Sequence, residues 1–394
     1  MFYYVRMTAR AAARIVRERL AAYPAVALVG PRQAGKTTLA RQIGGRYFDL
    51  EQEGERLRLD LEWPVLERSK RLVILDEAQS MPQAFSRLRS AIDVDRKRKG
   101  RYLLLGSVSL ALMKQVAESL AGRLSVVELT PFLLDELPRA ALDRLWLLGG
   151  YPDGGILAPA RAATPFPQWQ RDYLTLLAQR DLPNWGMPAK PALTQRLFKM
   201  AAAVHGQVLN ASQLGNSLGI SYHTVIGYLD YLTGAFLHRV LPPYQANLAK
   251  RLSKRPKLYW RDSGLLHALQ NVSSRSALLD QPWVGASWQG FAIEQILGCL
   301  AHCGIAAEPF YFRTSDGYEA DLVLELSGEL WAIEVKLSAV AKPQDMARLE
   351  RVADFIGARR CILVSRTGQA HQDGRRISCG LPWLIEHLGE LVKG

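Results

Sequence analysis

The chain has 394 residues, of which 48% are apolar and 22% charged, and carries a net charge of +13. That length exceeds one ordinary domain, and the composition is that of a globular protein with cores of its own, which excludes a disordered or collagen-like chain. No apolar run approaches a membrane span, and the N-terminal "MFYYVRMTARAAARIVRERL" is broken by arginines and lacks the apolar core of a signal peptide, so a cytoplasmic location is expected. The four cysteines make no disulfide framework; Cys299 and Cys303 lie one helical turn apart around His302, have no second pair at ligand spacing, and read as packing. The positive excess favours polyanionic partners and clusters in "RKRKGR" (96–101) and "AKRLSKRPK" (249–257), each of which also fits a solvated loop.

The first chemistry lies in "AVALVGPRQAGKTTLARQI", which runs from an apolar strand through a Gly-rich turn into an amphipathic helix. Gly30, Pro31, Arg32, Gln33, Ala34, Gly35, Lys36 and Thr37 fill G-x-x-x-x-G-K-[ST], with Thr38 next, in the strand–loop–helix context the motif requires. The glycines let backbone N–H groups wrap the phosphates of ATP, and the helix N-terminus adds its positive dipole end. Lys36 is expected on the β- and γ-phosphates, and the Thr37 hydroxyl on Mg2+. Next, "RLVILDEAQSM" (71–81) is an apolar strand ending in Asp76 and Glu77, delivered to the sheet edge where ligands bind. Asp76 would hold the magnesium through water and Glu77 would polarise the attacking water.

A third strand, "RYLLLGSVS", places Ser107, with Ser109 as second choice, where a hydroxyl could sit between the acid and the γ-phosphate. "LMKQVAESLAGRLSVVEL" then reads as a helix, Arg123 and a further strand. Arg123 at the domain rim could reach the γ-phosphate of a neighbouring subunit as an arginine finger, which implies a homo-oligomer; a surface salt bridge is its other reading.

"GPRQAGKTT", "LDEAQ", "LLLGSVS" and "LAGR…ELTPF", with the later "GGYP", "YLTLLAQRDLPNW" and "KLYWRDSGLLHAL", resemble the bacterial and archaeal AAA-superfamily ATPases whose C-terminal half is a domain of unknown function. The resemblance covers nearly the whole chain. It implies an ATPase core, a winged-helix linker and a restriction-endonuclease-like end, without a physiological task.

Residues 136–194 are helical pieces broken by prolines, which suits a connector. In "LNASQLGNSLGISYHTVIGYLDYLTGAFLHRV", Ser212 is a candidate N-cap for a short helix ending near Gly219, and Val225, Leu229 and Leu232 mark the buried stripe of a second. With "FLHRVLPPY" as a wing strand, this is winged-helix punctuation over 195–260. Tyr222, His223, Thr224 and Tyr228 could face a DNA groove, although that helix carries no Lys or Arg. His205, His223 and His238 have no ligand spacing and read as surface or partly buried side chains.

From Trp283, within the domain expected at 261–394, the chain reads as helix, three strands, helix and strand. "WQGFAIEQILGCLAHC" is a helix carrying Glu294; "GYEADLVLEL" is a strand with Asp321 near its start; Ser327-Gly328 is a hairpin turn; "LWAIEVKLS" is the return strand. Glu334 and Lys336, two apart, share one side of that strand. Glu294, Asp321, Glu334 and Lys336 compose the E…D…E-x-K set of restriction-endonuclease-like nucleases, with Glu319-Ala320 where a proline often precedes the aspartate. Asp321 and Glu334, with Glu294 available, would bind magnesium, and Lys336 would orient the nucleophile or stabilise developing charge.

The expected architecture is therefore α/β: an AAA-type P-loop parallel sheet (1–135), a helical connector (136–194), a winged-helix-like domain (195–260) and a nuclease-like α/β domain (261–394). The expected activity is ATP hydrolysis directed at nucleic acid, DNA before RNA. The alternative is a nucleotide-gated scaffold or DNA-binding regulator whose nuclease fold is inert.

Overall fold

The computed structural model of the protein describes residues 9–108, 120–158, 165–245 and 254–393. Ser109 and most of the helix expected before Arg123 lie outside the described residues, as does most of the basic run at 249–257. The chain divides into two compact units, one of Met1–Phe132 with Gly234–Phe236, the other of Leu133–Thr233 with Leu237–Gly394. Among the described residues no helix is long and apolar enough to cross a membrane.

In the first unit strands and helices alternate: α1 (Ala12–Ala22), β1 (Ala25–Val29), α2 (Lys36–Ile43), β2 (Arg46–Asp49), α3 (Glu53–Arg68), β3 (Val73–Asp76), α4 (Ala84–Val94), β4 (Tyr102–Gly106) and β5 (Leu124–Glu128). The strands form one parallel sheet in the order β2-β3-β4-β1-β5. β1, β3 and β4 are buried at every position, as parallel strands covered on both faces must be. Because all five run the same way, the segments leaving β1, β3 and β4 emerge at one edge. The basic run 96–101 is partly consumed by the fold. Arg101 is buried and donates to the carbonyls of Ala91 and Glu67, Arg98 donates to Ser69, and Arg96 pairs with Asp93.

The second unit opens with helices α5 (Leu142–Leu148), α6 (Gln168–Leu176), α7 (Pro191–Ala203), α8 (Ala211–Leu218) and α9 (Tyr222–Gly234). An antiparallel pair, β6 (His238–Leu241) and β7 (Lys257–Trp260), follows, and Val208 bridges to Lys257 beside it. Three more helices come next: α10 (Ser263–Leu269), α11 (Arg275–Leu279) and α12 (Val284–His302). The proline-broken segment expected as a connector is instead packed into this unit. Trp146 Nε1 donates to Ser287 Oγ at 3.0 Å, and its ring meets that of Trp288 edge-on at 5.1 Å.

The "GGYP" and "WRDSG" segments form one junction. Asp262 N-caps α10, accepting from Leu265 N at 2.9 Å and from Gly150 N at 2.8 Å. A Cβ on Gly149 would stand 2.2 Å from Asp262 Oδ1, and one on Gly264 would stand 2.0 Å from the Leu148 carbonyl, so only glycine fits at either place. Burial raises the Asp262 pKa to about 6, against the backbone N–H donors that favour its charge.

Two local expectations change. Asn210, not Ser212, caps α8, accepting from Gln213 N at 3.2 Å. Val225, Leu229 and Leu232 are buried as expected, but so is Tyr228, whose hydroxyl donates to the Pro188 carbonyl; it cannot face a groove. Tyr222 and His223 are exposed at the start of α9.

Strands β8 (Glu308–Arg313), β9 (Glu319–Leu326), β10 (Glu329–Val335), β11 (Arg360–Ser365), β12 (His371–Asp373) and β13 (Arg376–Gly380) make a mixed sheet in the order β12-β13-β11-β10-β9-β8. β8, β9 and β10 are antiparallel, whereas β10, β11 and β13 are parallel. The β9–β10 turn has left-handed Ser327 and Gly328 (φ 52° and 85°), the two-residue hairpin read from the sequence. Helix α13 (Pro343–Ile356) covers one face with Leu349, Val352 and Ala353 against Val323, Ala332 and Leu363. The last helix is α14 (Leu381–Lys393). Cys299 is buried but Cys303 is exposed, so packing explains only one of the pair.

His205 and His238 are buried rather than superficial. His205 accepts from Trp260 N and donates to the Ala286 carbonyl, which fixes its neutral form. His238 meets the Trp260 ring edge-on at 4.3 Å, and neither of its ring nitrogens has a partner. Burial, with His205 nearby, pushes the His238 pKa from 6.5 down to about 3. Below 6.5 the unfolded chain takes up a proton that the fold refuses, so stability is lost as pH falls toward 3. His238→Phe is therefore expected to be more stable than wild type at neutral pH. Its margin should widen by about 1.4 kcal/mol for each pH unit below 6.5. Urea unfolding of both proteins across the weakly acidic range checks this; a margin that does not change with pH contradicts it.

Candidate nucleotide site and C-terminal acidic site

The turn between β1 and α2 is held open by backbone geometry. Gly35 is left-handed at φ 98° and Gln33 at φ 63°, a conformation costing a non-glycine residue roughly 1–2 kcal/mol. A Cβ on Gly30 would stand 2.1 Å from the Leu129 carbonyl, so β5 presses directly on the start of the loop. Arg10 braces it from outside, donating to the Ala34 carbonyl at 2.8 Å and the Thr130 carbonyl at 2.6 Å with its guanidinium over Phe132. Lys36 is buried and folds back on its own loop, donating to the Gly30 and Pro31 carbonyls at 2.8 and 2.9 Å. Burial lowers its pKa to about 8, although Glu77 and Asp76 favour its charge. A polyphosphate in the loop would supply the anionic partner that loop carbonyls replace only in part. Arg32, within the loop, lies 3.6 Å from Glu51, and Thr38 follows Thr37 on the first turn of α2.

The acids stand where parallel pairing delivers them. Asp76, last residue of β3, accepts at one carboxylate oxygen from Thr37 Oγ1 (2.7 Å) and Tyr47 OH (2.6 Å), and at the other from Glu77 N (2.9 Å). The two expected magnesium ligands are thus already joined. Glu77 has left-handed backbone (φ 48°), which turns its side chain toward the tip of β4. There it accepts from Ser107 Oγ at 2.7 Å and from Gln79 Nε2. Ser107 therefore contacts the acid, as its position between β1 and β3 requires. Arg123 is engaged locally: it forks onto Asp93, Nε to Oδ1 and Nη2 to Oδ2 at 2.9 Å each, and donates to the Ala121 carbonyl. This is the salt-bridged alternative, and an arginine-finger role would require that fork to open.

In the second unit the hairpin turn brings Asp321, Glu334 and Lys336 together. Asp321 is buried and accepts from Val335 N at 2.9 Å; Lys336 Nζ donates to Glu334 Oε1 at 2.5 Å. Glu334 Oε2 is buried and has no partner. Burial and then the charge of Asp321 push the Glu334 pKa up, and burial raises that of Asp321 against the pull of Lys257. A buried carboxylate and a nearly buried one that repel each other, the second with an orphaned oxygen, are the donor set a hard divalent cation relieves. Beside them lies a cleft of about 190 Å³ lined by Tyr318, Glu319, Glu334, Lys336 and Asp345.

Glu294 does not join them. Arg239 and Arg261 grip both its oxygens, and among the described residues no three His, Cys, Asp or Glu side chains converge as a metal set. Burial alone would raise its pKa, but the two guanidinium groups hold it down to about 2. A carboxylate balanced by two guanidinium charges and accepting three of their hydrogen bonds is a poor ligand for a further cation, and the expectation for Glu294 is corrected on that ground.

Sequence reading missed Tyr47, Gln79, Arg10, Lys257 and Glu319. Gln79 lies in the quoted "LDEAQ" and Glu319 in "GYEADLV", so both were within sight of the motifs. Tyr47 and Arg10 are distant in the chain and carry no local signal, and Lys257 ends the basic run at 249–257, whose composition fits a solvated loop.

A family model described as an AAA domain matches residues 22–137. Two models described as domains of unknown function, DUF8612 and DUF4143, match residues 139–276 and 284–384. The chain is 40% identical over 331 residues to the uncharacterized proteins Rv2008c of Mycobacterium tuberculosis and Mb2031c of Mycobacterium bovis, covering 83% of this chain and 73% of each relative. Among solved structures, AMPPCP-bound DnaA from Aquifex aeolicus aligns at 15% identity with a TM-score of 0.28, covering 57% of this chain and 87% of that one. With the phosphate-loop geometry above, residues 22–137 are an AAA-type nucleotide-binding ATPase domain, and the chain belongs to the same family as these two mycobacterial proteins.

Proposed function

We propose that the chain is an ATP-hydrolysing, homo-oligomeric cytoplasmic protein that acts on nucleic acid, DNA before RNA, through a winged-helix segment and a magnesium-dependent nuclease-like C-terminal domain. The observation that carries this reading is the pairing, in one chain, of an intact phosphate loop with Asp321, Glu334 and Lys336 gathered on one hairpin. The succession of α7, the Val208 bridge, α8, α9 and the β6–β7 hairpin supports the winged-helix part. The mixed sheet with its carboxylates near the end of β10 supports the nuclease-like part.

At the phosphate loop, Lys36 exchanges the Gly30 and Pro31 carbonyls for the β- and γ-phosphates, which neutralise its buried charge. Thr37 and Asp76 would hold magnesium, which supplies charge neutralisation at the phosphates. Glu77 leaves Ser107 and Gln79 to orient the attacking water, and the freed Ser107 hydroxyl turns to the γ-phosphate. In the C-terminal domain Asp321 and Glu334 would hold a second divalent cation, which supplies Lewis acidity at a phosphodiester. Lys336, paired to Glu334 and half-exposed to the cleft, stabilises charge that develops there.

A scaffold with an inert nuclease fold is the second reading, and the neutralised Glu294 favours it. A sequence-specific DNA-binding regulator is a third; its partner-facing Tyr222 and His223 have no Lys or Arg on the same helix.

Lys36→Ala is expected to abolish nucleotide binding. Glu77→Gln is expected to retain ATP while phosphate release falls by about a hundredfold or more. Retention of radiolabelled ATP beside phosphate release checks both, and turnover undiminished in either variant removes the hydrolysis claim. With magnesium or manganese, cleavage of linear, branched or single-stranded substrates should be lost in Asp321→Ala and Lys336→Ala while ATP turnover persists. No cleavage of any substrate by the wild-type protein supports the scaffold instead.

A further inference from the structure

Lys257 is a lysine almost completely withdrawn from solvent, yet it comes from the hairpin strand β7 and not from the domain that carries the carboxylates. Its ammonium donates to Glu319 Oε1 at 2.5 Å and lies 5.2 Å from the centre of the Tyr311 ring. Glu319 and Asp321 are two apart on β9 and so share one face of the strand. Glu319 also lines the cleft with Glu334 and Lys336. The other cation beside Glu319 is Arg313, whose Nε is 3.8 Å from Oε2 and whose side chain is half-exposed. Glu319, Asp321 and Glu334 therefore lie along the β9–β10 hairpin without converging as one three-ligand set, and Glu319 is held by an ammonium supplied from another part of the unit.

From this geometry we infer that Lys257 is a tethered counter-ion of the acidic site, which occupies Glu319 and so limits how strongly the site binds a divalent cation. A compact ammonium and a divalent cation seek the same carboxylate oxygens and repel each other at short range. While Lys257 holds Glu319, the charge of that carboxylate is cancelled beside the site; when the ammonium is withdrawn, Glu319 adds its negative charge to the surroundings of Asp321 and Glu334 and a repulsive positive charge disappears. Both effects tighten binding. The tether is β7, which pairs with β6 and bridges to Val208, so the region matched at 139–276 contributes directly to a site in the region matched at 284–384. A displacement of that hairpin would change metal occupancy without altering any metal ligand. The inference rests on the proposed cation site at Asp321 and Glu334.

The test is Mn2+ binding to the full chain without nucleotide, followed by electron paramagnetic resonance of the free ion. Lys257→Met keeps the length and apolar stem of the side chain while removing its charge. It is expected to bind Mn2+ at least about tenfold more tightly than wild type. Lys257→Met combined with Glu319→Gln should return to within about threefold of wild type, whereas Glu319→Gln alone, which leaves the ammonium unpaired, should bind at least about threefold more weakly. Lys257→Met binding no more tightly than wild type overturns the inference, as does Glu319→Gln binding as tightly as wild type; the latter variant needs no change in the core and serves should Lys257→Met fail to fold. Asp321→Ala separates the two levels. If it abolishes binding while Lys257→Met leaves binding unchanged, the cation site stands and the counter-ion role falls. If it changes nothing, or if no protein binds Mn2+, the cation site itself is wrong and the inference falls with it.

Discussion

In the first unit β4 is wedged between the strand that feeds the phosphate loop and the strand that carries the acids. That order decides which side chains can meet. It brings Ser107 to Glu77 from one side, while β2 on the far side of β3 brings Tyr47 to Asp76. The Asp76 carboxylate in turn reaches across to Thr37 on α2, so one hydrogen-bonded chain links Tyr47, Asp76 and Thr37 along the edge. Parallel pairing supplies the common edge, and left-handed turns at Gln33, Gly35 and Glu77 aim the groups into it. A substitution that shifted β4 would part Ser107 from Glu77 without altering a residue of the phosphate loop.

The second unit solves a different problem, that of placing charge inside a packed body. Glu294, Asp321, Glu334, Asp262 and Lys257 are all buried or nearly so, and each is settled by another device. Two guanidinium groups neutralise Glu294; backbone N–H groups satisfy Asp262; an ammonium from β7 holds Glu319. Of the carboxylates among the described residues, Glu334 keeps a buried oxygen with no partner, and it does so beside another carboxylate. Buried charge of that kind is costly for stability and is the usual mark of a functional centre.

The parts of this organisation that were legible in the sequence are those written in contiguous residues. The phosphate loop needs one strand, one turn and one helix; Asp321 and Glu334 need only a two-residue hairpin between them. Both are short-range constraints, and periodicity with turn chemistry reads them directly. Glu294 illustrates the failure: its helix was recognised, but its partners Arg239 and Arg261 lie on and beside a hairpin some tens of positions earlier, and only the fold reveals that they meet it. Tyr228 fails for the same reason, since the Pro188 carbonyl that accepts its hydrogen bond lies well before the helix in the chain. Lys257 sat at the end of a basic run that reads as solvated, and its burial follows from β7 pairing rather than from its neighbours. Asp262 with Gly149 and Gly150 is intermediate: both motifs were visible, but not that one is the lock of the other.

The central claim is that the turn between β1 and α2 grips a nucleoside triphosphate. Hydrogen–deuterium exchange of the full chain, with and without a non-hydrolysable ATP analogue and magnesium, tests it directly. Slowed exchange is predicted at the amides of Gly30 and residues 32–38 and around Asp76 and Glu77 when the analogue is added; exchange at those amides that is the same in both conditions would contradict the claim.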